Sequence, residues 1–562
     1  MAEIEHDPRL IQPTVPLRES SLWEIEKHYF DNMGIEAWRD EVPMYISSNA
    51  FIGHQYAMQM LCFIKDCHAN NIDNTKEGTF YILELGSATG SFSFHFLNAF
   101  KKLLQEYKIA IKFCYIISDK VEANVKFIRE NPAFLAFEEN QEVDYAVYDL
   151  EVDEDVVLMV RGKKYSEIAP GNKYPLAVIA NYIFDCTRQD HFISYKGGLE
   201  EVRWGIHSRY KNFDVKQGKH LNELRFSHDY KAIEAEHYYS NPDWNMLLKN
   251  YQLLFSDSQA PAQILMPLGA FAFFGKLRSF TNDRFFMILG DKGLAQTQSF
   301  PLLEIKDSCS FDGIYSFMVN FHAIASMLQG WGAQAILTQS QNDFKVNLLG
   351  MGFDFENFKE TQNFFHNTLE VFGPHEYCYI YDEFEANNFR LSLKSILSFL
   401  KLSRWDPRAY VAVHDRLMEL MPNAGGFLKE NIFKAVAQIQ KNIYRLDFGA
   451  DLYNIVGLFY YRQDKNSEAL EMFESSLGIR GESSVVHYNI GLVYEREKKL
   501  EKALFHYEKS YDLDPKNSDT KLKLSQLGGK PYRTLLMPIL KAVLVFGAIF
   551  IFSYFNGFFK VS

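Results

Sequence analysis

Residues 79–100 read TFYILELGSATGSFSFHFLNAF. Phe80 to Leu83 is a short β-favouring apolar run that closes on Glu84. A loop of small residues follows, and from Ser91 the apolar residues recur at helical spacing. Strand, glycine loop and helix N-terminus in that order make the nucleotide-cradling unit of an α/β fold. Gly86 and Gly90, with Ser87 between them, let backbone N–H groups approach a ligand because no Cβ stands in the way. The position of the acid narrows the reading. A dinucleotide-binding loop carries its acid about 20 residues further on, at the ribose, whereas Glu84 stands two residues before the first glycine.

Beyond the loop, Phe92, Phe96, Phe100, Leu103 and Tyr107 fall on one helical stripe, the pattern of core packing against a sheet. A second apolar run, Phe113 to Ile117, ends at Ser118-Asp119, where a carboxylate can accept both hydroxyls of a ribose. A third, Tyr145 to Tyr148, ends at Asp149, placed to accept from an adenine amino group. Any one of these acids alone reads as a solvated loop residue. Glu84, Asp119 and Asp149, each closing a successive β-run, read together as a site. A fourth run, Pro175 to Ala180, leads into Asn181-Tyr-Ile-Phe-Asp185. Ligands of doubly wound sheets bind beyond the carboxyl ends of the strands, so this loop is expected to face the reacting group.

Further on, a β-hairpin is expected at His191–Tyr195 and Glu201–Ile206 around Gly197-Gly198, and residues 207–280 read as an insertion. Gly269 to Leu277 imitates a phosphate loop but is one residue too long and lacks the Ser/Thr. Arg284–Leu289 reads as a fifth strand and 315–329 as a helix. Ala333–Thr338 and Glu376–Tyr381 read as the strands that complete the sheet. Residues 1–78 read as a helical extension, with apolar spacing in Leu22–Met33 and Phe51–Cys67 and no catalytic motif.

At 562 residues the chain holds several domains, and 47% hydrophobic content with 49 Phe and 32 Tyr supplies sizeable cores. A formal charge of −12 without a basic cluster argues against a phosphate backbone, so no nucleic-acid partner is expected. Six cysteines without a C-x-x-C pair argue for a reducing compartment and no metal site. The charged start MAEIEHDPRL lacks the apolar core of a signal peptide.

The acid closing the first strand ahead of Gly-x-small-x-Gly resembles the first motif of S-adenosylmethionine (SAM) methyltransferases, with Ala88 in place of the usual middle glycine. Asn181-Tyr-Ile-Phe-Asp185 is similar to the Asn-Glu-x-Phe-Asp loop of the MidA-type members, the family of the mitochondrial complex I assembly methyltransferase. Phe286 to Gly293 resembles its Ile-Asp-Tyr-Gly strand end. Val319-Asn320-Phe321 and Ser340-Gln341-Asn-Asp-Phe344 resemble its Val-Asp-Phe and Thr-Gln-x-x-Phe. The matches lie in family order over roughly residues 80–385. Tyr182, Asn320 and Lys292 depart from it, standing where the family has Glu, Asp and Tyr. The resemblance implies a Rossmann-like class I fold over 79–385, SAM held by Glu84, Gly86, Ser87, Gly90, Asp119 and Asp149, and methyl transfer to a protein side chain of arginine type. In that chemistry Asp185 orients or deprotonates the nucleophile and Asn181 is its neutral hydrogen-bond partner. The competing reading is a SAM-fold pseudoenzyme serving as an adaptor, which the departures favour. A nicotinamide-dependent oxidoreductase is disfavoured by Glu84.

Residues 390–447 read as a helical connector. The next block repeats: Gly457 and Gly491, Tyr460 and Tyr494, Ala469 and Ala503, and Phe473 and Tyr507 recur after 34 residues. This is the tetratricopeptide (TPR) period, giving units at 450–483 and 484–517 and a capping helix up to 527. Tyr453, Asn454, Tyr461, His487, Asn489 and Glu495 are expected on the first helices, some lining a groove for a protein partner. From Ala542 to Phe559 eighteen residues carry no charge, and a transmembrane helix is expected at 535–559. With most flanking Lys and Arg ahead of it, that helix implies a tail anchor in a membrane with the bulk of the chain in the cytoplasm.

Overall fold

The computed structural model describes residues 4–40, 45–72, 78–311, 313–340 and 342–528. These form two compact units, one of residues 4–387 with Lys401–Asp406, the other of Asn388–Leu400 with residues 407–528.

The first unit is built on a sheet whose strands run Gln334–Ile336, Phe344–Met351, Phe285–Leu294, Leu176–Asn181, Thr79–Leu85, Lys112–Asp119 and Val143–Val147 from edge to edge. The last five are parallel. Phe344–Met351 runs antiparallel to Phe285–Leu294. The inner parallel strands are buried on both faces, which is why their sequences are nearly continuous apolar runs. Alternation sends Tyr81, Leu83 and Leu85 into a core with the helix Leu268–Thr281. It sends Phe80 to the other side, against Phe63 on the helix Ala50–Ala69 (ring centroids 6.2 Å apart). The chain order reverses at Thr79–Leu85, which lies between Lys112–Asp119 and Leu176–Asn181, so the ligand crevice of a doubly wound sheet belongs at the carboxyl ends of these strands.

A second, antiparallel sheet joins Ile4–Pro16, Gly198–Tyr210, Asp190–Tyr195 and Ala262–Met266, with Leu224–Ala232 also on Gly198–Tyr210. Lys196 and Gly197, both at positive φ, close its tight hairpin, as a two-residue turn between twisted strands requires. Ile4–Pro16 departs from the helical reading of 1–78. It holds Pro8, Pro13 and Pro16 at a sheet edge, where a missing N–H costs no ladder bond. Residues 376–381 also differ, lying in the helix Pro374–Ala386 rather than in a strand. Gly373 precedes Pro374 at the first helical position and its N–H donates to the Glu376 carboxylate (2.9 Å), so start signals override the β-favouring Tyr-Cys-Tyr-Ile run. The strand that fills the sheet is Phe344–Met351.

In the second unit, Leu452–Arg462 pairs with Asn466–Arg480 and Ser484–Arg496 with Leu500–Leu513, followed by Ser518–Leu527. The 34-residue period has a steric basis. A Cβ on Gly457 would lie 2.6 Å from the Phe473 ring, and one on Gly491 2.6 Å from the Tyr507 ring. Gly491→Ala should therefore lower stability by about 1–3 kcal/mol through overpacking, outweighing the ~1 kcal/mol of helix propensity that alanine adds. Urea unfolding of the full chain checks this, and an unchanged midpoint would refute it. The membrane-crossing helix expected at 535–559 is corrected. Those residues lie outside the described ones, and no helix among the described residues is long and apolar enough to cross a membrane. The tail-anchored placement is likewise unsupported.

Candidate functional site

One cavity of about 400 Å³ opens at the switch point of the parallel sheet. Glu84, Gly86, Ser87, Asp119, Asp149, Asn181 and Asp185 all contribute to its wall. Gly90 does not. At φ 78° it caps the helix Ser91–Glu106, and its N–H closes the loop on the Ser87 carbonyl (2.7 Å).

Glu84 is 5% exposed. Its Oε2 accepts from the Tyr115 hydroxyl (2.9 Å) and from Ser93 Oγ. Burial lifts its pKa to about 7, against the pull of those donors. Asp119 ends its strand equally buried and ties the loop together. Oδ2 accepts from the Ala88 N–H (3.0 Å), and Oδ1 from the Val121 N–H (2.9 Å) and Asn124 Nδ2 (3.3 Å). Ala88 sits at φ 51°, a left-handed conformation that costs a non-glycine residue on the order of 1–3 kcal/mol, and the Asp119 bond holds it there. A carboxylate offers about four lone-pair sites, so Asp119 has room for about one more donor, not the two ribose hydroxyls that the sequence suggested. Asp149 stands two residues past the end of Val143–Val147. It lies in a turn where Oδ1 accepts from the Glu151 N–H (3.0 Å).

Across the cavity, Asp185 lies in the short turn Phe184–Cys186, 2% exposed, and its Oδ1 has no hydrogen-bond partner. Burial raises its pKa to about 6, opposed by the Cys186 side chain and the charge of Lys292. The turn is organised by Asp291, a residue to which the sequence reading gave no role. Asp291 is fully buried, and its Oδ2 accepts from the backbone N–H groups of Ile183 (3.0 Å), Phe184 (2.9 Å) and Asp185 (3.3 Å). Desolvation first, then the neighbouring Asp185 charge, push the Asp291 carboxyl well above its usual range. Asn181 accepts through Oδ1 from the Tyr56 hydroxyl (2.9 Å).

The N-terminal region also reaches the site. Phe30 and Trp38, stacked at 5.9 Å, line the cavity, and Lys120 Nζ lies 5.3 Å over the Phe30 ring. Glu26, on the same helix as Phe30, accepts from the Tyr315 N–H (2.8 Å), and its Oε2 is buried without a partner. Burial lifts it to about 8. Nothing in the spacing of residues 22–38 distinguishes these side chains from core. Asn320 lies elsewhere. It caps the helix Phe321–Gly330, accepting from the Ala323 N–H (2.8 Å) and donating to the Leu265 carbonyl (3.0 Å). Among the described residues no group of His, Cys, Asp and Glu is arranged to hold a metal ion.

In the repeats, Asn489 donates to Asn454 Oδ1 (2.9 Å), joining successive first helices. His487 is buried against His506 (3.0 Å between Nδ1 atoms) rather than presented to a groove.

Residues 484–517 match the tetratricopeptide repeat family. No curated protein matches the chain. Among solved structures it is similar to a candidate methyl transferase from Burkholderia thailandensis bound to S-adenosyl-homocysteine, at 12% identity over 61% of this chain and 89% of that one, TM-score 0.38. It is likewise similar to the native structure of an uncharacterized superfamily protein from the same organism (13% identity, 61% and 88% coverage, TM-score 0.38). A third likeness is to the human IFIT1 dimer with m7Gppp-AAAA (19% identity, 31% and 42%, TM-score 0.21). Likenesses this distant assign no activity.

Proposed function

We propose that this chain is a SAM-dependent methyltransferase acting on a side-chain nitrogen of a protein, of arginine type by its family resemblance. The observation that carries the reading is the ring of acids. Glu84, Asp119 and Asp149 stand at or just past the ends of successive parallel strands, and Asp185 stands across one small-molecule-sized cavity from them. The site fits the cofactor. A Cβ on Gly86 would fall 2.3 Å from Ile183 Cδ1, so the loop lies against the Asn181–Asp185 segment with no side chain between them. Asp119 keeps about one open acceptor position for a ribose hydroxyl, and Asp149 lies one strand further for the base.

SAM supplies a methyl group activated by its sulfonium. The chain's own residues align the nucleophile, exclude water and take up its proton. Asp185 is the group for the proton. It lines the cavity, the turn that carries it is held by Asp291, and its pKa of about 6 leaves it ionised yet basic near neutrality. Of the departures from the family pattern, Asn320 is a helix cap away from the cavity and does not speak against transfer. Tyr182 does line the cavity, and it is the residue on which the adaptor reading rests. The repeat unit is read as a binding surface for a protein partner, with Tyr453, Asn454, Tyr461 and Glu495 on its first helices.

Calorimetric titration tests the site. S-adenosylhomocysteine should bind and NAD should not. Asp119→Ala should weaken binding by ~1–3 kcal/mol, the scale of a lost hydrogen bond to a charged group. Tight NAD binding, or an Asp119→Ala affinity equal to wild type in a folded protein, would overturn the assignment.

A further inference from the structure

We infer that Tyr56 and Asn181 form a positioning pair that turns the Asn181 amide N–H group toward the cavity, to receive the carboxylate at the amino-acid end of the nucleoside ligand. The inference rests on the methyltransferase reading above and assigns a subsite within it.

Tyr56 sits on the helix Ala50–Ala69 with no exposed surface, and its hydroxyl meets Asn181 Oδ1 at 2.9 Å. A buried hydroxyl proton left without an acceptor is costly, so the proton points to Asn181 and fixes which end of the amide is oxygen. The backbone is built around this bond. A Cβ on Gly290 would stand 2.4 Å from Asn181 Oδ1 and 2.7 Å from the Tyr56 hydroxyl, so only glycine leaves room for the pair. Oδ1 is thereby occupied, and Asn181 Nδ2 has no hydrogen bond within the described residues while the side chain lines the cavity. The amide therefore offers donors, and it recognises an acceptor rather than an amine.

Two features identify that acceptor as an anion at the amino-acid end. Lys292 lines the same wall, with Nζ 6.0 Å from the centre of the Tyr182 ring, next in sequence to Asn181. The first glycine of the loop packs on Ile183, which brings the Asn181 segment beside Gly86 and Glu84 rather than beside the nucleoside acids Asp119 and Asp149.

The test compares S-adenosylhomocysteine with 5′-methylthioadenosine, which keeps the nucleoside and lacks the amino-acid end. In Asn181→Asp a near-isosteric carboxylate replaces the donor, and affinity for S-adenosylhomocysteine should fall about tenfold or more while that for 5′-methylthioadenosine holds. Tyr56→Phe removes only the orienting hydroxyl, and the same ligand-selective loss is expected on a smaller scale. A merely structural role would weaken both ligands together, and that outcome overturns the inference while leaving the methyltransferase reading standing. Unchanged binding of both ligands with slowed turnover would place the amide on the methyl acceptor instead and also overturn it. Failure of the wild-type chain to bind either ligand sinks the methyltransferase reading and this subsite with it.

Discussion

Asp185→Asn should abolish methyl transfer, by about 10²–10⁴-fold, while leaving the fold and ligand binding in place. The substitution is nearly isosteric and removes no bond from Oδ1, because that oxygen has none to lose. If the residue only capped its turn, the main damage would be to stability. The expected direction is the opposite. Burial lifts the folded-state pKa to about 6 from an ordinary 3.8, so between those values the native state holds more protons than the unfolded chain. Stability contributed at this position therefore falls as pH rises through that window, and above it the chain carries the cost of a desolvated charge. A neutral amide removes that cost, so the variant should unfold at the same temperature as wild type or higher. Wild-type transfer should rise with pH through about 6 as the base loses its proton. Single-turnover rates across pH 5–8, with thermal unfolding of the same samples, decide the matter. A variant that keeps its rate, or that loses several degrees of stability, would remove Asp185 from the chemistry.

The parts of this molecule that were legible in its sequence are those whose determinants are local or periodic. The run from Thr79 to Phe100 folds as strand, loop and helix because its period changes from a continuous apolar run to helical spacing at a glycine loop. The hairpin at Asp190–Tyr195 and Gly198–Tyr210 turns at Lys196-Gly197, both at positive φ, one residue before the expected glycine pair ends. The repeats show through because the Gly–aromatic contacts recur in phase. What stayed hidden depends on partners far along the chain. Ile4–Pro16 is a strand only because Gly198–Tyr210 offers it an edge, and its own residues carry no alternation. Glu376–Tyr381 has strand-like side chains but obeys a helix start next to it. Phe30 and Trp38 line the cavity from the helical region that precedes the first strand of the parallel sheet, where an aromatic residue looks like any other core side chain. Gly90 completes the motif and so reads as a ligand-facing residue, yet its conformation serves the loop itself. The acids were visible as strand ends, but how many lone pairs each has left is a property of the folded loop.

Asp291 shows the same limit, and it carries the largest expected effect on stability. It lies within a stretch whose family resemblance is plain, Phe286 to Gly293, yet nothing in the stretch says that its carboxylate reaches across to the next loop. Three consecutive N–H groups, of Ile183, Phe184 and Asp185, converge on Oδ2, and the Lys292 N–H meets Oδ1 (2.9 Å). Asp291→Ala leaves these donors without an acceptor in a buried place, at ~1–3 kcal/mol for each unpaired group. Relief of one buried, like-charged carboxyl offsets part of that, and a net loss of about 3 kcal/mol or more is expected. Asp291→Asn keeps an oxygen for the turn and should recover most of the loss. The two variants also separate holding the turn from supplying charge. Because Asp291 acts through the position of Asp185, the alanine variant should lose transfer even under conditions where it remains folded, and the asparagine variant should retain a measurable rate. Urea unfolding of both variants, with methyl transfer assayed well below the unfolding midpoint, checks the pair. An alanine variant as stable and as active as wild type would show that the turn holds without its carboxylate, and Asp185 would then need another source of its position.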